Sequence, residues 1–295
     1  MSYSTQEIEK IVYAYLPEEK GYCKTVLSAM NYAVRAGGKR LRPMMLRMCY
    51  DMFAKNPCNE VVEPFMAAME MIHTYSLVHD DLPAMDNDEL RRGLPTVHVK
   101  FGEDMAILAG DALLNYAYEV AAKVFSVNPQ SVEVEKAFAV LTKKPGIYGM
   151  VGGQVLDVER AGKSMDEAQI SYIYEHKTGA LIECACMCGA YLAGAEEEQV
   201  EALRQAALAI GMAFQVQDDI LDLVGTTQTL GKPVHSDDKN EKITYVTLHG
   251  MDASRKYVKD MSEKAIALLE SLEVVKEESR QALLSLVRSL IDRDR

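Results

Sequence analysis

Apolar residues recur every three or four positions along most of this 295-residue chain, a spacing typical of amphipathic helices. The segments with this pattern are rich in Ala, Leu, Met, Glu and Lys, which favour helix. We predict helices over 6–16, 24–35, 42–55, 61–79, 104–127, 132–143, 166–189, 196–224, 241–249, 253–272 and 276–292. Alternating runs bounded by turn pairs are missing, so little or no sheet is expected.

Helix-breaking residues separate these segments. They are Gly37-Gly38, Pro57, Pro83, Gly93 with Pro95, Pro145-Gly146, Gly152-Gly153 and the stretch from Gly225 to Pro233. No long Pro/Gly/Ser linker divides the chain. We therefore predict an all-α fold with one domain over 1–295, in which 61–79 and 196–224 are long central helices.

A first carboxylate cluster follows the apolar stretch before residue 79. Asp80 and Asp81 end the predicted helix, and Pro83 should stop or kink it, which would turn Asp86 back towards Asp80. Adjacent carboxylates at the end of an apolar helix are costly unless a cation offsets them. Oxygen ligands of this kind suit Mg²⁺. An acidic helix end exposed to water is the alternative.

A second carboxylate cluster lies near the end of the predicted helix 196–224. Asp218 and Asp222 are one turn apart on the same helix face, and Asp219 lies beside them. Their neighbours are strongly apolar, and burial makes the repulsion between like charges worse. A shared cation would relieve that repulsion, whereas a solvated acidic patch is the alternative.

Cationic side chains cluster in several segments, most of which also contain glycine. They are Lys39, Arg40, Arg42, Arg91, Arg92, Lys177, Lys232 and Lys242. Arg offers a planar fork for phosphate oxygens, and Lys offers a point charge. Each loop alone is more typical of a solvated surface, and none matches the P-loop pattern. Combined with two carboxylate clusters, however, they predict a pocket for diphosphates and metal ions.

Composition narrows the function classes. The net charge of −12 disfavours a nucleic-acid binder and docking on anionic lipid, although local cations or a metal still permit an anionic ligand. The most apolar stretch, from Ala180 to Gly194, is short and carries Glu183, so no membrane insertion is expected. The N-terminus lacks a signal-peptide pattern. The six cysteines show no zinc-knuckle spacing and are interpreted mainly as small buried hydrophobes. We expect a soluble, cytoplasmic protein.

These motifs resemble those of the trans-prenyltransferase (polyprenyl synthetase) family, most closely its bacterial-type farnesyl diphosphate synthases. The similar segments are GGKRLRP (37–43), DDLPAMD (80–86), RRG (91–93), GGQVLD (152–157), KTG (177–179), FQVQDDILD (214–222) and GKPVHSDDKNEKITY (231–245). They occur in the family's order and span roughly residues 30–250. His235 departs from the pattern, since relatives often have Gly there. The resemblance implies a helical bundle of the isoprenoid synthase type with a central cavity, assembled as a homodimer.

The resemblance also implies a role for each matching side chain. Several Mg²⁺ ions would be bound by Asp80, Asp86 and Asp218, supported by Asp81, Asp219 and Asp222. The allylic diphosphate would be held by Arg91, Lys177, Thr178, Gln215, Lys232 and Lys242. Isopentenyl diphosphate would be held by Lys39, Arg42, His73 and Arg92. The implied reaction is ionisation of the allylic diphosphate, condensation with isopentenyl diphosphate and loss of a proton to the released diphosphate.

Product length should depend on residues about one turn before Asp80. Tyr75 and Ser76 lie there, roughly 6–7.5 Å deeper along the helix, and Tyr75 is bulky enough to close a cavity. Members with an aromatic residue at this position tend to make the C15 product, so we predict farnesyl diphosphate formed from dimethylallyl and geranyl diphosphate. Packing of Tyr75 in the core is the alternative.

Three other functions are alternatives to a farnesyl diphosphate synthase. A geranylgeranyl diphosphate synthase is the runner-up. A non-catalytic subunit that adjusts product length would tend to lose one aspartate motif, and this chain keeps both. A terpene cyclase would lack the cations Lys39, Arg42 and Arg92.

Overall fold

In the computed structural model, which describes residues 4–224 and 243–291, the described parts of the predicted helical segments are mostly helical. The first helices are α1 (Thr5–Ala14), α2 (Lys24–Arg35), α3 (Leu41–Phe53) and α4 (Asn59–Asp80). The hairpin of β1 (Leu90–Arg91) and β2 (Leu94–Pro95) is followed by α5 (Val97–Phe101), α6 (Glu103–Ala122), α7 (Val124–Val127), α8 (Val132–Lys143) and α9 (Met150–Arg160). Next come α10 (Glu167–Ile173), a π-helical turn (Tyr174–Gly179), α11 (Ala180–Leu192) and α12 (Glu197–Val224). The last helices are α13 (Tyr245–His249), α14 (Met251–Glu270) and α15 (Glu277–Ile291).

Capping side chains fix where several helices begin. Ser4 and Glu7 form a reciprocal capping box at the start of α1. Asp166 and Gln169 do the same at the start of α10. Ser131 caps α8 by accepting a hydrogen bond from a backbone N–H of its first turn. These local signals satisfy backbone donors that would otherwise lack partners.

The two helices predicted to be central are α4 and α12. Apolar side chains are buried around the whole circumference of α4, among them Val62, Phe65, Met66 and Met69. This helix packs against α6, and α12 packs against α11 and α14. The main apolar core lies between most of the helices, including α14 and α15 near the end of the chain. A smaller apolar cluster joins α10, the π-helical turn, α12, α13 and α14.

The chain departs from the predicted elements in two places that matter for the site. Gly152 and Gly153, predicted to break the chain, lie inside α9. A Cβ on Gly153 would overlap the backbone of Lys177, so this glycine permits α9 to approach the π-helical turn closely. The segment 166–189, predicted as one helix, contains that π-helical turn between α10 and α11.

Most cysteines are buried, as predicted. Cys49, Cys184, Cys186 and Cys188 are buried, whereas Cys23 is exposed and Cys58 is partly buried. Within the described ranges, no helix is both long and apolar enough to cross a bilayer.

Candidate functional site

The chain reverses direction directly after α4 and gathers the first carboxylate cluster into a corner. The backbone N–H of Asp86 donates to the carbonyl of Asp80 over 2.9 Å, which is the return that Pro83 predicted. Asp80 is partly buried, Asp81 is buried and Asp86 is exposed. We call these three residues the acidic corner.

Arg91 is the cation that the hairpin presents to the acidic corner. Its Nε lies 2.7 Å from Oδ1 and 2.8 Å from Oδ2 of Asp81. Its Nη2 also lies 3.7 Å from Oδ2 of Asp88. Contacts with both carboxylate oxygens fix the orientation of Arg91 and stabilise its charged form.

Burial shifts the pKa values in the acidic corner. Loss of solvation raises the pKa of Asp80 to about 6, against the opposing charge of Lys177 and with a further rise from Asp86. Loss of solvation also raises the pKa of Asp81, although Arg91 opposes that shift. The corner is therefore a site where an added cation would be favourable.

Two α9 residues, Gln154 and Asp157, connect the acidic corner to the π-helical turn. The amide of Gln154 donates from Nε2 to Oδ1 of Asp80 over 2.9 Å. The carboxylate of Asp157 lies 2.6 Å from Nζ of Lys177. Neither residue was predicted to have a role, although they are three apart on a helix and lie within the GGQVLD motif. Both hold a predicted site residue in place.

The second carboxylate cluster lies near the end of α12. Asp219 and Asp222 are buried and Asp218 is partly buried, so the cluster is not a solvated patch. The hydroxyl of Tyr174 donates to Oδ2 of Asp219, and Nε2 of Gln215 lies 3.3 Å from Oδ1.

The π-helical turn reaches both carboxylate clusters. Thr178 donates to Oε1 of Gln215 over 2.8 Å, which ties the turn to α12. Lys177 and Thr178 line one cavity together with Asp80, and they also line a smaller neighbouring pocket together with Asp219. The two clusters, 138 positions apart in sequence from Asp80 to Asp218, thus flank the same turn. Single π-helical turns often occur at functional sites.

Arg42, Arg92 and His73 form a second charged region, which we call the basic pocket. Nη1 of Arg42 lies 3.3 Å from Nε2 of His73. A guanidinium can only donate, so Nε2 accepts and His73 is neutral. Loss of solvation and the charge of Arg42 lower the pKa of His73 well below its usual value. Loss of solvation also lowers the pKa of Arg42, to about 10.

The RRG motif places Arg92 at the edge of the basic pocket. Arg92 and Gly93 both have positive φ values, as the two central residues of a tight hairpin turn require. The guanidinium of Arg92 donates to the carbonyl of Gly37. Gly38 has a φ of +131°, which favours glycine, and a Cβ there would lie 2.7 Å from Cζ of Arg92.

Arg40 points into the core beneath the basic pocket. Its side chain is fully buried, and Nη1 lies 2.6 Å from Oε1 of Glu70, which is also buried. Nη2 donates to the carbonyl of Val34 over 2.7 Å and to the hydroxyl of Tyr13 over 3.1 Å, and it lies 3.2 Å from Glu9. One of the three cations in GGKRLRP is therefore structural. Sequence alone does not reveal this, since Glu70 lies 30 positions away in an apolar helix.

A large cavity extends from the acidic corner towards the apolar interior. Its volume is about 590 Å³, within the usual range for a small-molecule site. The polar side chains at its walls are Arg42, His73, Ser76, His79, Asp80, Gln154, Glu159, Lys177 and Thr178. Met150, Val151, Val155 and Leu181 are among its apolar walls, and Tyr75, which is 6% exposed, also lines it.

Some predicted site residues lie elsewhere. Lys39 is exposed near the end of the loop that leads into α3. Lys232, Lys242 and His235 lie outside the described residues. Among residues 4–224 and 243–291, no three His, Cys, Asp or Glu side chains meet in an arrangement that could hold a metal ion. A bound ion would therefore need further oxygens from substrate or water.

A family model described as Polyprenyl synthetase matches residues 23–282. The chain belongs to the polyprenyl synthetase family. This polyprenyl synthetase is 44% identical over 244 residues to the farnesyl diphosphate synthase of Geobacillus stearothermophilus, covering 82% of this chain and 81% of that protein. It is 43% identical over 241 residues to the geranylgeranyl diphosphate synthase of Cyanophora paradoxa, covering 81% of this chain and 79% of that protein.

Solved structures agree with this membership. The geranyltransferase of Helicobacter pylori, complexed with magnesium and isoprenyl diphosphate, matches with a TM-score of 0.86 at 28% identity, covering 98% of this chain and 95% of that chain. The predicted family and all-α fold are confirmed. This polyprenyl synthetase is a prenyltransferase, a short-chain trans-prenyl diphosphate synthase. Farnesyl and geranylgeranyl diphosphate synthases match it almost equally well, so similarity does not choose between a C15 and a C20 product.

Proposed function

We propose that this polyprenyl synthetase is a magnesium-dependent farnesyl diphosphate synthase. One observation carries the proposal: a single cavity joins Asp80 and Lys177 at its polar end to Tyr75 among apolar side chains. The polar end suits an allylic diphosphate with its metal ions. The apolar part suits a growing isoprenoid chain.

The chemistry of the acidic corner fits magnesium. Burial disfavours the ionised form of Asp80, and a bound cation would restore it. We propose that Asp80 and Asp86 hold ions from one side and Asp218 from the other, with Asp81, Asp219 and Asp222 in support. Several ions would complete their coordination with water and diphosphate oxygens, as Mg²⁺ usually does. When bound, they would neutralise charge on the departing diphosphate.

Protein cations would act on the same leaving group. Lys177, held by Asp157, and Arg91, held by Asp81, are oriented before substrate arrives. Preorganised positive charge lowers the barrier because negative charge grows on the allylic diphosphate as its bond to carbon breaks. Thr178 and Gln215, joined by a hydrogen bond, would complete this subsite together with Lys232 and Lys242. Apolar walls would keep water from the allylic cation.

The basic pocket would hold isopentenyl diphosphate. Arg42 and Arg92 are close enough that the charge of Arg92 lowers the pKa of Arg42. A diphosphate would relieve this repulsion. Neutral His73 and exposed Lys39 would add contacts to its oxygens. The proton lost after condensation would go to the released diphosphate, so no residue is needed as a separate base.

Tyr75 and Ser76 would limit product length. Tyr75 is almost fully buried and lines the cavity on the helix that ends at Asp80. Its ring would stop the isoprenoid chain at C15. We expect Tyr75→Ala to lengthen the product, measured by mass spectrometry of the prenyl alcohols released after dephosphorylation. An unchanged C15 product would show that another residue closes the cavity.

Product analysis with defined primers tests the whole proposal. The purified chain would be incubated with isopentenyl diphosphate and dimethylallyl, geranyl or farnesyl diphosphate in turn, with Mg²⁺ or with EDTA. We expect C15 from the first two primers, no extension of the third and no product with EDTA. A C20 product would favour the runner-up, a geranylgeranyl diphosphate synthase, whose relatives are equally similar. No product with any primer would favour a non-catalytic subunit.

We also propose that the chain forms a homodimer. Apolar side chains are exposed on and near α6, including Val99 (51%), Ile107 (42%) and Leu108 (50%). Exposed apolar side chains on neighbouring helices are typical of an interface. Light scattering during size-exclusion chromatography tests this, and Leu108→Glu should yield monomer.

A further inference from the structure

We propose that Gly110 and His79 together set the position of Tyr75 and are therefore specificity-determining residues. This rests on the proposed function, in which Tyr75 limits product length. His79 and Tyr75 lie one turn apart on α4, and both line the main cavity. Their rings meet edge to face, with centroids 5.8 Å apart and planes at 84°. The His79 ring thus supports one side of Tyr75.

His79 is itself held by α6. Its Nε2 lies 3.1 Å from the carbonyl oxygen of Ile107. A carbonyl can only accept, so the proton is on Nε2 and the ring orientation is fixed. Nε2 also lies 3.8 Å from Oδ1 of Asp111. These contacts hold the ring against one turn of α6.

Gly110 provides the space for that ring. It lies inside α6, where glycine costs about 0.5–1 kcal/mol relative to alanine. A Cβ on Gly110 would overlap Nε2, Cδ2 and Cε1 of His79. Its φ is not positive, so the backbone does not require glycine at this position. The space taken by the His79 ring is therefore what requires glycine here.

The direction of the effect follows from this packing. A methyl group on Gly110 would push the His79 ring away from α6, towards the cavity that it lines. The space beside Tyr75 would narrow and the product would shorten. Removing the ring with His79→Ala would instead widen that space and lengthen the product.

The experiment measures product length in a double-mutant cycle. We expect Gly110→Ala to raise the ratio of C10 to C15 product about tenfold, since one methylene changes discrimination in an apolar pocket by roughly that factor. His79→Ala should raise the ratio of C20 to C15. In the His79→Ala background, adding Gly110→Ala should change neither ratio, because the ring that it displaces is gone.

Asn115→Ala is the matched control. It also raises helix propensity in α6, but Asn115 is exposed and does not touch His79. It should leave the product unchanged. Thermal unfolding of all variants would show whether each one is folded, so that a change in product length is not confused with a loss of folding.

Two results would overturn the inference. One is a wild-type product distribution in Gly110→Ala. The other is an equal shift from Gly110→Ala with and without His79. Because every ratio is compared with wild type, the inference survives if wild type makes C20 rather than C15. A wild type without any product would instead contradict the proposed function.

Discussion

The acidic corner and the basic pocket are opposite solutions to one problem, which is keeping like charges together with little water. In the acidic corner, burial raises the pKa of Asp80 to about 6, so a proton can remove the excess charge under mildly acidic conditions. In the basic pocket, burial lowers the pKa of Arg42 only to about 10, so the guanidinium stays charged at neutral pH. The acidic corner can lose its excess charge by taking up a proton, whereas the arginine of the basic pocket keeps its charge at neutral pH.

This difference explains the buried carboxylate beneath the basic pocket. Glu70 pairs with Arg40, and its negative charge also favours the charged forms of Arg42 and Arg92. In the acidic corner, the charges of Arg91 and Lys177 favour the ionised form of Asp80 instead. Both side chains could also contact the diphosphate of a bound substrate. The basic pocket thus has a permanent negative counter-charge in Glu70, whereas the acidic corner needs an added cation.

Neutralising Asp80 should have the largest effect on activity. We expect Asp80→Asn to lower kcat about 10³-fold, because it removes a charged oxygen ligand from the proposed metal site. It should not lower the free energy of unfolding of the metal-free protein, since the ionised form of Asp80 is disfavoured in the fold. Steady-state kinetics measure the effect on kcat, and urea unfolding measures the effect on stability.

Asp260→Asn is the control for this substitution. Asp260 makes an exposed ion pair with Lys256, and such pairs contribute little. Its kinetics should match wild type. Near-normal turnover by Asp80→Asn would contradict the role of the acidic corner.

Removing the counter-charge should have the largest effect on stability. Glu70→Gln leaves the Arg40 guanidinium buried without its closest carboxylate, and breaking a buried pair in this way costs about 3–5 kcal/mol. Glu9 lies 3.2 Å from Arg40, so we expect the lower end of that range. KM for isopentenyl diphosphate should also rise, because Arg40 fixes the backbone between Lys39 and Arg42.

Urea unfolding measures the change, with Glu60→Gln on the exposed first turn of the same helix as control. The control should change the free energy of unfolding by less than about 0.5 kcal/mol. Equal losses of unfolding free energy in both variants would show that the Arg40–Glu70 pair contributes no more to stability than an exposed carboxylate does.

Much of this arrangement was predictable from sequence, and the exceptions have physical causes. Periodicity predicted α4 and α12 because their apolar faces are long. Pro83 predicted the return of Asp86, since proline has no backbone N–H to continue the helix. The predicted break at Gly153 was wrong, because glycine can either end a helix or allow two elements to pack closely. Here it allows α9 to pack against the backbone of Lys177, which is distant in sequence.

The pairing of residues far apart in sequence was not predictable. Glu70 and Tyr174 were missed because their partners, Arg40 and Asp219, lie on other elements. The π-helical turn was missed because its sequence has the same composition as an ordinary helix. Local patterns identified which residues carry charge, whereas the partner of each charge depends on how the helices pack.

His73 should give the basic pocket a change in stability with acid that is opposite in sign to that of Asp80. Its pKa is lower in the folded than in the unfolded state, so its contribution to stability is present above the unfolded value of about 6.5 and is lost as pH falls. The loss is up to about 1.4 kcal/mol per pH unit. Asp80 has the opposite sign, because its pKa is raised in the fold.

We therefore expect His73→Gln to lose less stability than wild type between pH 8 and pH 5.5. Thermal unfolding at several pH values measures this, and His249→Gln is a control on the outside of α13. Parallel stability curves for wild type and His73→Gln would show that His73 is not buried in its neutral form.

The smallest predicted effect concerns the link between the π-helical turn and α12. Tyr174 donates to Asp219, and its oxygen accepts from the backbone N–H of Tyr245 over 3.0 Å. Tyr174→Phe keeps the ring and removes both hydrogen bonds, each of which contributes about 1 kcal/mol. Because this turn also carries Lys177 and Thr178, we expect kcat to fall about fivefold, the factor to which the loss of one such bond corresponds.

Tyr172→Phe is the matched control, since Tyr172 is exposed and its ring stacks on His176 with or without the hydroxyl. It should leave kcat and the unfolding temperature unchanged. A purely structural role for Tyr174 would lower the unfolding temperature and leave kcat intact under conditions where the protein is folded. A fall in kcat at full folding would instead show that the neutral hydroxyl of Tyr174 positions the second carboxylate cluster for turnover, as Arg91 positions the first by its charge.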